Sequence, residues 1–213
     1  MKLYDYFRSS AAYRVRIALD LKGIAVSRAH VHLVRGMQHD ADYRARNPHG
    51  LVPALELDDG RVITQSLAII EYLDETHPAP PLLPATPEDR ARVRGIALAI
   101  AADIHPIDNL RVLQHLEATF AADAAARATW YAHWIALGFD ALERDLAGDA
   151  RTGRFCHGDA PTLADCFVVP QVANAHRARL DMARWPTLAR IDAACQAIPA
   201  FADAAPARQP DAE

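Results

Sequence analysis

Five prolines, Pro78, Pro80, Pro81, Pro84 and Pro87, crowd ten residues of this chain. Proline fixes φ and has no N–H to donate, so the run can be neither helix interior nor central strand. It divides the 213 residues into two parts of different character. Before it, short apolar runs alternate with turn signals; after it, nearly everything is alanine-rich with helical period. The expected organisation is a domain over 1–78, a linker over 79–87 and a second domain over 88–213.

In the first part, Lys2–Phe7 reads as a strand that stops at Arg8-Ser9-Ser10. A helical repeat follows, with Ala12, Val15 and Leu19 on one side, widened by Ile17, Ala18 and Leu21, and ended by Lys22-Gly23. Ser27–Leu33 alternates as a second strand, and a strand–helix–strand unit of this length predicts parallel pairing. Asn47–Pro53 leads into a strand at Ala54–Leu57, Asp58-Asp59-Gly60 is a hairpin turn, and Val62–Thr64 returns. An amphipathic helix from Leu67 onward is expected to be capped by Ser66. These elements make a compact α/β domain.

In the second part, helices are expected near 88–120, 124–147, 162–179 and 187–197, with Thr162 and Asp165 in a capping-box arrangement. Ala205–Glu213 reads as a polar tail. The net charge of −4 argues against nucleic acid as a partner, because the protein's field would repel phosphates. No apolar run approaches a membrane span, and the N-terminus shows no signal peptide. Cys156, Cys166 and Cys195 are odd in number and lack metal-type spacing, which fits reduced core thiols in a cytoplasmic protein.

Several segments carry possible chemistry. Arg8-Ser9-Ser10 lies where exposed helix amides favour an anion, although on local evidence a serine cap with arginine stems over the surface is the first reading. Arg14 and Arg16 follow in the first two turns, where cations oppose the helix dipole. Val52-Pro53 opens a strand; a cis bond would leave the Val52 backbone open to an extended peptide, and a trans bond in a loop is the ordinary alternative. His105-Pro106 interrupts a helix, with Asn109 and Arg111 just beyond, and also reads as a plain histidine beside a structural kink.

Together these segments resemble one family. Ser9-Ser-Ala-Ala-Tyr-Arg-Val-Arg-Ile-Ala-Leu19 is similar to the signature of zeta-class glutathione transferases. Leu51–Leu55, Gln65–Leu73 and Leu163–Val172 are similar to the later motifs of that family, so the resemblance runs along nearly the whole chain. It implies a thioredoxin-like α/β N-terminal domain, an all-α C-terminal domain and a homodimer. It also implies glutathione as cofactor: Ser9 on the thiolate with Ser10 beside it, Val52 before a cis Pro53 on the cysteinyl backbone, Gln65 and Ser66 on the γ-glutamyl end, and Gln38 on the glycyl end. His105 and Asn109 are similar to residues that line the family's cleft from the helical domain.

The family holds maleylpyruvate and maleylacetoacetate isomerases, so the resemblance implies a cis–trans isomerase of a small unsaturated dicarboxylate. Arg8, Arg111 and Arg177 suit its carboxylates, because planar guanidiniums match carboxylate geometry. His105 suits the carbonyl on which charge develops. Ala11 stands where many zeta enzymes have cysteine; with Arg111 it points to maleylpyruvate over maleylacetoacetate. A general conjugating glutathione transferase and a non-enzymatic binding scaffold are the alternatives.

Overall fold

The computed structural model describes residues 1–213, which form two compact units: Met1–Leu82 with Gln196–Glu213, and Leu83–Cys195. In the first, β1 (Lys2–Asp5), α1 (Ser10–Lys22), β2 (Ser27–His30), α2 (Ala41–Arg46), β3 (Ala54–Glu56), β4 (Val62–Thr64) and α3 (Ser66–Thr76) follow in order. The sheet order is β2-β1-β3-β4, with β1 and β2 parallel and the other pairs antiparallel. Leu3 and Leu55 are partners in register and share one face with Ile63; both leucines are fully buried, as are Val15, Ile17, Ile69, Ile70 and Leu73. Each such side chain contributes about 1.5–3 kcal/mol of burial. The other face carries Tyr4 and Ala54, which cluster with Tyr6, Phe7, Val31, Tyr43 and Val52.

Both expected strands of the βαβ unit are shorter than their patterns. Ser9 N–H donates to the Tyr6 carbonyl at 2.9 Å, folding the chain into α1 right after Asp5. Val31 N–H donates to the Asp5 carbonyl at 2.7 Å, and His32 then caps a 3-10 turn over Leu33–Arg35. Gly23, at φ 63°, ends α1 in the left-handed region. Lys22, expected only to mark that end, is buried; its Nζ pairs with Asp74 at 2.7 Å and donates to the His77 and Pro80 carbonyls. The start of the proline run is thereby fastened to the first unit.

The polar tail expected over Ala205–Glu213 is instead docked on the first unit. Arg28 donates to Gln209 at 2.6 Å, Phe7 N–H to Asp211 at 3.0 Å, and Arg35 to Glu213 at 2.7 Å. Upstream, Tyr13 donates to the Phe201 carbonyl and Arg16 to that of Ala204. Sequence pattern alone had no means of pairing partners nearly 200 residues apart.

The second unit is helical: α4 (Pro87–Leu98), a stretch of wider π-type turns (Ala99–Ile104), α5 (His105–Asp108), α6 (Leu110–Phe120), α7 (Ala124–Gly148), α8 (Leu163–Arg177) and α9 (Pro186–Gln196), with α10 (Pro199–Ala202) returning to the first unit. Pro106 does not end the expected 88–120 helix. The wide turns absorb its missing donor upstream, and the break falls at Asn109 (φ −63°, ψ 146°). Gly138 lets α7 approach those turns: a Cβ there would lie 2.2 Å from Ile104 Cδ1. Asp165, fully buried, accepts from Thr162 N at 2.7 Å, Thr162 Oγ1 at 2.9 Å and Cys156 N at 2.8 Å, completing the expected box. The three cysteines are free and buried. No helix is long and apolar enough to cross a membrane.

Candidate active site

Ser9 sits at the N-cap of α1, where its Oγ accepts from Ala12 N at 3.2 Å. This bond uses an oxygen lone pair and leaves the hydroxyl proton to donate outward. Ser10, the first residue of α1, is buried. Unsatisfied amides and the positive end of a 13-residue helix make this terminus favourable to an anion. The loop that presents Ser9 is held by Arg16, which donates to the carbonyls of Tyr6 and Phe7 and to Asp5 at 2.8 Å. Arg16 is thus a buried clamp, not the surface stem that spacing suggested, and the fully buried Asp5 also pairs with Arg28.

Arg14 is also buried and donates to Ser66 Oγ at 3.2 Å. Burial lowers its pKa to about 9, which leaves it cationic at neutral pH. Ser66 is the first residue of α3 and not its cap. The cap position belongs to Gln65, whose side chain is exposed and whose φ of 71° lies where non-glycine residues are strained.

Val52 precedes a cis peptide bond to Pro53. The ladder of β3 begins only at Ala54, so Val52 lies outside it. Gln38 is buried in a 3-10 turn over Met37–His39; its Nε2 lies 3.2 Å from His39 Nε2, and its Oε1 is buried with no partner. Buried polar atoms are nearly always satisfied, so a lone carbonyl here marks a place for an outside donor. Arg8 is exposed, and its positive charge acts on the Tyr6 phenol.

In the second unit, His105 and Asn109 lie one helical turn apart, with His105 Nε2 at 3.5 Å from Asn109 Nδ2. Asn109 Oδ1 accepts from Arg111 N at 3.2 Å, so the asparagine starts α6; the Arg111 side chain is exposed. Arg177, at the end of α8, donates to the Tyr131 hydroxyl at 2.5 Å and lies 5.5 Å from the centre of that ring.

Two side chains beside these residues were not singled out from the sequence. Tyr131 holds Arg177 from 46 residues away. Asp108 is buried, and neither carboxyl oxygen has a partner. Burial raises its pKa to about 7, opposed by the positive charge of Arg177. The run His105-Pro-Ile-Asp108-Asn109 gave no sign that the aspartate would face inward.

The sheet order, the serine at the head of α1 and the proline turn before β3 define the N-terminal half of a glutathione transferase, and the family described as "Glutathione S-transferase, N-terminal domain" matches residues 3–81. A maleylacetoacetate isomerase of Rhizobium meliloti is 51% identical over 206 residues, covering 97% of this chain and 96% of the relative. The solved holo structure of a maleylpyruvate isomerase, a bacterial zeta-class glutathione transferase, is 48% identical with a TM-score of 0.97, each chain covered in full. A maleylacetoacetate isomerase from Anaeromyxobacter dehalogenans, solved with dicarboxyethyl glutathione and citrate in its active site, is 46% identical with a TM-score of 0.88, covering 100% of this chain and 97% of that one. The chain belongs to the zeta-class glutathione transferase family of maleylpyruvate and maleylacetoacetate isomerases.

Proposed function

We propose that this protein is a glutathione-dependent cis–trans isomerase of maleylpyruvate or maleylacetoacetate, with maleylpyruvate the preferred substrate. The observation that carries the reading is the set Ser9, Gln38, Val52, Gln65 and Ser66: a helix terminus with a free hydroxyl donor, a lone buried carbonyl, a backbone outside the ladder and a second helix terminus. Each fits a different part of an anionic tripeptide. The relative with dicarboxyethyl glutathione in its site holds what thiol addition to a butenedioate gives.

Glutathione, when bound, supplies the thiolate that adds to the activated alkene carbon, allows rotation and leaves again. The protein supplies the setting. Ser9 donates its hydroxyl proton to the sulfur, and the α1 amides hold its negative charge, which lowers the thiol pKa. Gln65 and Ser66 take the γ-glutamyl carboxylate at the α3 terminus, and Gln38 the glycyl end. Arg8, Arg111 and Arg177 hold the substrate carboxylates, and His105 beside Asn109 donates toward the carbonyl oxygen as charge develops. No step calls for a protein thiol, so Ala11 is compatible with isomerisation.

The protein acts as a homodimer in the cytoplasm on this reading. The dimer rests on the resemblance to the zeta-class family and on no feature of the surface. A monomer mass in light scattering at micromolar concentration would remove the dimer.

Retention on immobilised glutathione, followed by an ultraviolet assay of maleylpyruvate isomerisation, tests the function. Retention with isomerisation is expected. Retention with turnover only of an apolar electrophile would make the protein a general transferase, and neither result would leave a scaffold.

A further inference from the structure

The peptide unit between Tyr6 and Phe7 carries the turn that presents Ser9. Its carbonyl accepts from Ser9 N–H at 2.9 Å, and its own N–H donates to the Asp211 carboxylate at 3.0 Å. A trans peptide is planar, with C=O and N–H pointing opposite ways, so the two bonds hold one rigid plane from its two sides. β1 ends at Asp5, which leaves the Phe7 N–H beyond the sheet ladder. The rest of the turn bonds to neighbours in sequence: Arg16 donates to the Phe7 carbonyl at 3.1 Å, and Tyr13 N–H to the Ser9 carbonyl at 2.9 Å. Asp211 comes from 204 residues away.

The C-terminal tail is arranged to deliver that carboxylate. Gln209 is buried and uses both ends of its amide: the oxygen accepts from Arg28 at 2.6 Å, and the nitrogen donates to the Asp203 and Ala205 carbonyls at 2.8 and 2.9 Å. Two residues on, the Asp211 side chain is 14% exposed, and the oxygen that meets Phe7 also lies 3.3 Å from His30 Nδ1 at the end of β2. Glu213 then pairs with Arg35 at 2.7 Å and with His32 at 3.1 Å. A negative charge disfavours a neighbouring thiolate. What Asp211 offers the turn is therefore an acceptor oxygen and not its charge.

We propose that Asp211 is a positioning residue for the reaction, which sets the place of the Ser9 hydroxyl by fixing the Tyr6–Phe7 peptide plane. This role rests on the reading of Ser9 as donor to the glutathione sulfur. Without the carboxylate, the plane turns about its flanking bonds and the Tyr6 carbonyl moves away from the Ser9 amide. The loss falls on thiolate stabilisation and kcat. Glutathione affinity is spared, because Gln38, Val52, Gln65 and Ser66 hold the tripeptide from other segments.

The experiment compares wild type, Asp211→Ala, Asp211→Asn, Glu213→Ala and Ser9→Ala. The readouts are kcat for maleylpyruvate, KM for glutathione and the thiolate absorbance of bound glutathione at pH 7, with urea melts to show that each variant is folded in the assay. Asp211→Ala should lower kcat by about 10-fold, the scale of a small displacement of a catalytic group, and should reduce the thiolate absorbance while the KM for glutathione stays near wild type. Asp211→Asn keeps an acceptor for the Phe7 amide and should restore both kcat and absorbance. Glu213→Ala loosens the end of the tail without touching the Phe7 bond, and should behave as wild type in all three readouts. If Ser9→Ala is slow but Asp211→Ala has normal kcat and absorbance, Asp211 has no such role and the reading of Ser9 stands. If Asp211→Asn is as slow as Asp211→Ala, the charge and not the acceptor matters, which also overturns the proposal. A normal Ser9→Ala removes the reading of Ser9, and the role of Asp211 falls with it.

Discussion

Arg14 on α1 donates to Ser66 on α3 at 3.2 Å, inside the first unit and away from water. The bond ties together the beginnings of the two helices whose termini are assigned to the two ends of glutathione, the thiolate and the γ-glutamyl group. Arg14→Met keeps much of the stem volume and removes the tie. It should raise the KM for glutathione by about 10-fold and lower stability by roughly 1–3 kcal/mol, the scale of leaving a buried polar group unsatisfied. Isothermal titration with glutathione and a urea melt are the measurements; unchanged affinity would make Arg14 purely architectural.

Gln65→Gly should move stability and binding in opposite directions. Glycine adopts φ 71° without the strain the glutamine bears, so the variant should gain roughly 0.5–1 kcal/mol. Losing the side chain removes one contact to the γ-glutamyl end, and glutathione affinity should fall about 5- to 20-fold. Thermal melting and titration on the same sample check both signs. A variant that loses stability as well would show that Gln65 makes contacts that outweigh its backbone strain.

Asp108 has a stability signature. Its folded-state pKa of about 7 lies above the usual carboxylate value, so the unfolded chain loses the proton first as pH rises. The native state is therefore penalised progressively between about pH 4 and pH 7, and the penalty levels off above that. Asp108→Asn should be more stable than wild type by roughly 2–4 kcal/mol at pH 8 and by little at pH 4. Urea denaturation at the two pH values reads the difference; equal stability of the two proteins at pH 8 would show that the carboxylate is solvated.

The docked tail gives a further expectation. Deleting Pro206–Glu213 removes the Gln209, Asp211 and Glu213 contacts and exposes the Arg28 and Phe7 N–H partners. At about 1 kcal/mol for each hydrogen bond, the truncated chain should lose roughly 2–4 kcal/mol, and Asp211→Ala alone about 1. A truncated protein with an unchanged melting temperature would mean that the tail adds nothing in solution.

What could be read from the sequence divides along physical lines. Local signals served well: the Asp58-Asp59-Gly60 turn, the parallel βαβ pairing and the Thr162–Asp165 box depend on residues near one another in sequence. Contacts of long sequence separation did not show. Arg16 reaches Ala204, Arg177 reaches Tyr131 and Phe7 reaches Asp211, and no periodicity encodes such partners. Burial of charge was equally silent. Arg14, Arg16 and Asp108 look like solvated side chains until the packing around them is known. Helix starts fell between these cases: Ser66 is a good cap by composition, yet the backbone gives that place to Gln65.

The most direct test of the account is the rate of maleylpyruvate isomerisation with and without glutathione, for wild type and Ser9→Ala, followed by ultraviolet absorbance. The reaction should depend on glutathione, and Ser9→Ala should be slower by about 10²- to 10³-fold, the cost of losing one preorganised donor to an anion. Its bound glutathione should show less thiolate absorbance at pH 7 than the wild type. A wild-type rate unaffected by omitting glutathione, or a Ser9→Ala enzyme with normal rate and normal thiolate absorbance, would contradict the account.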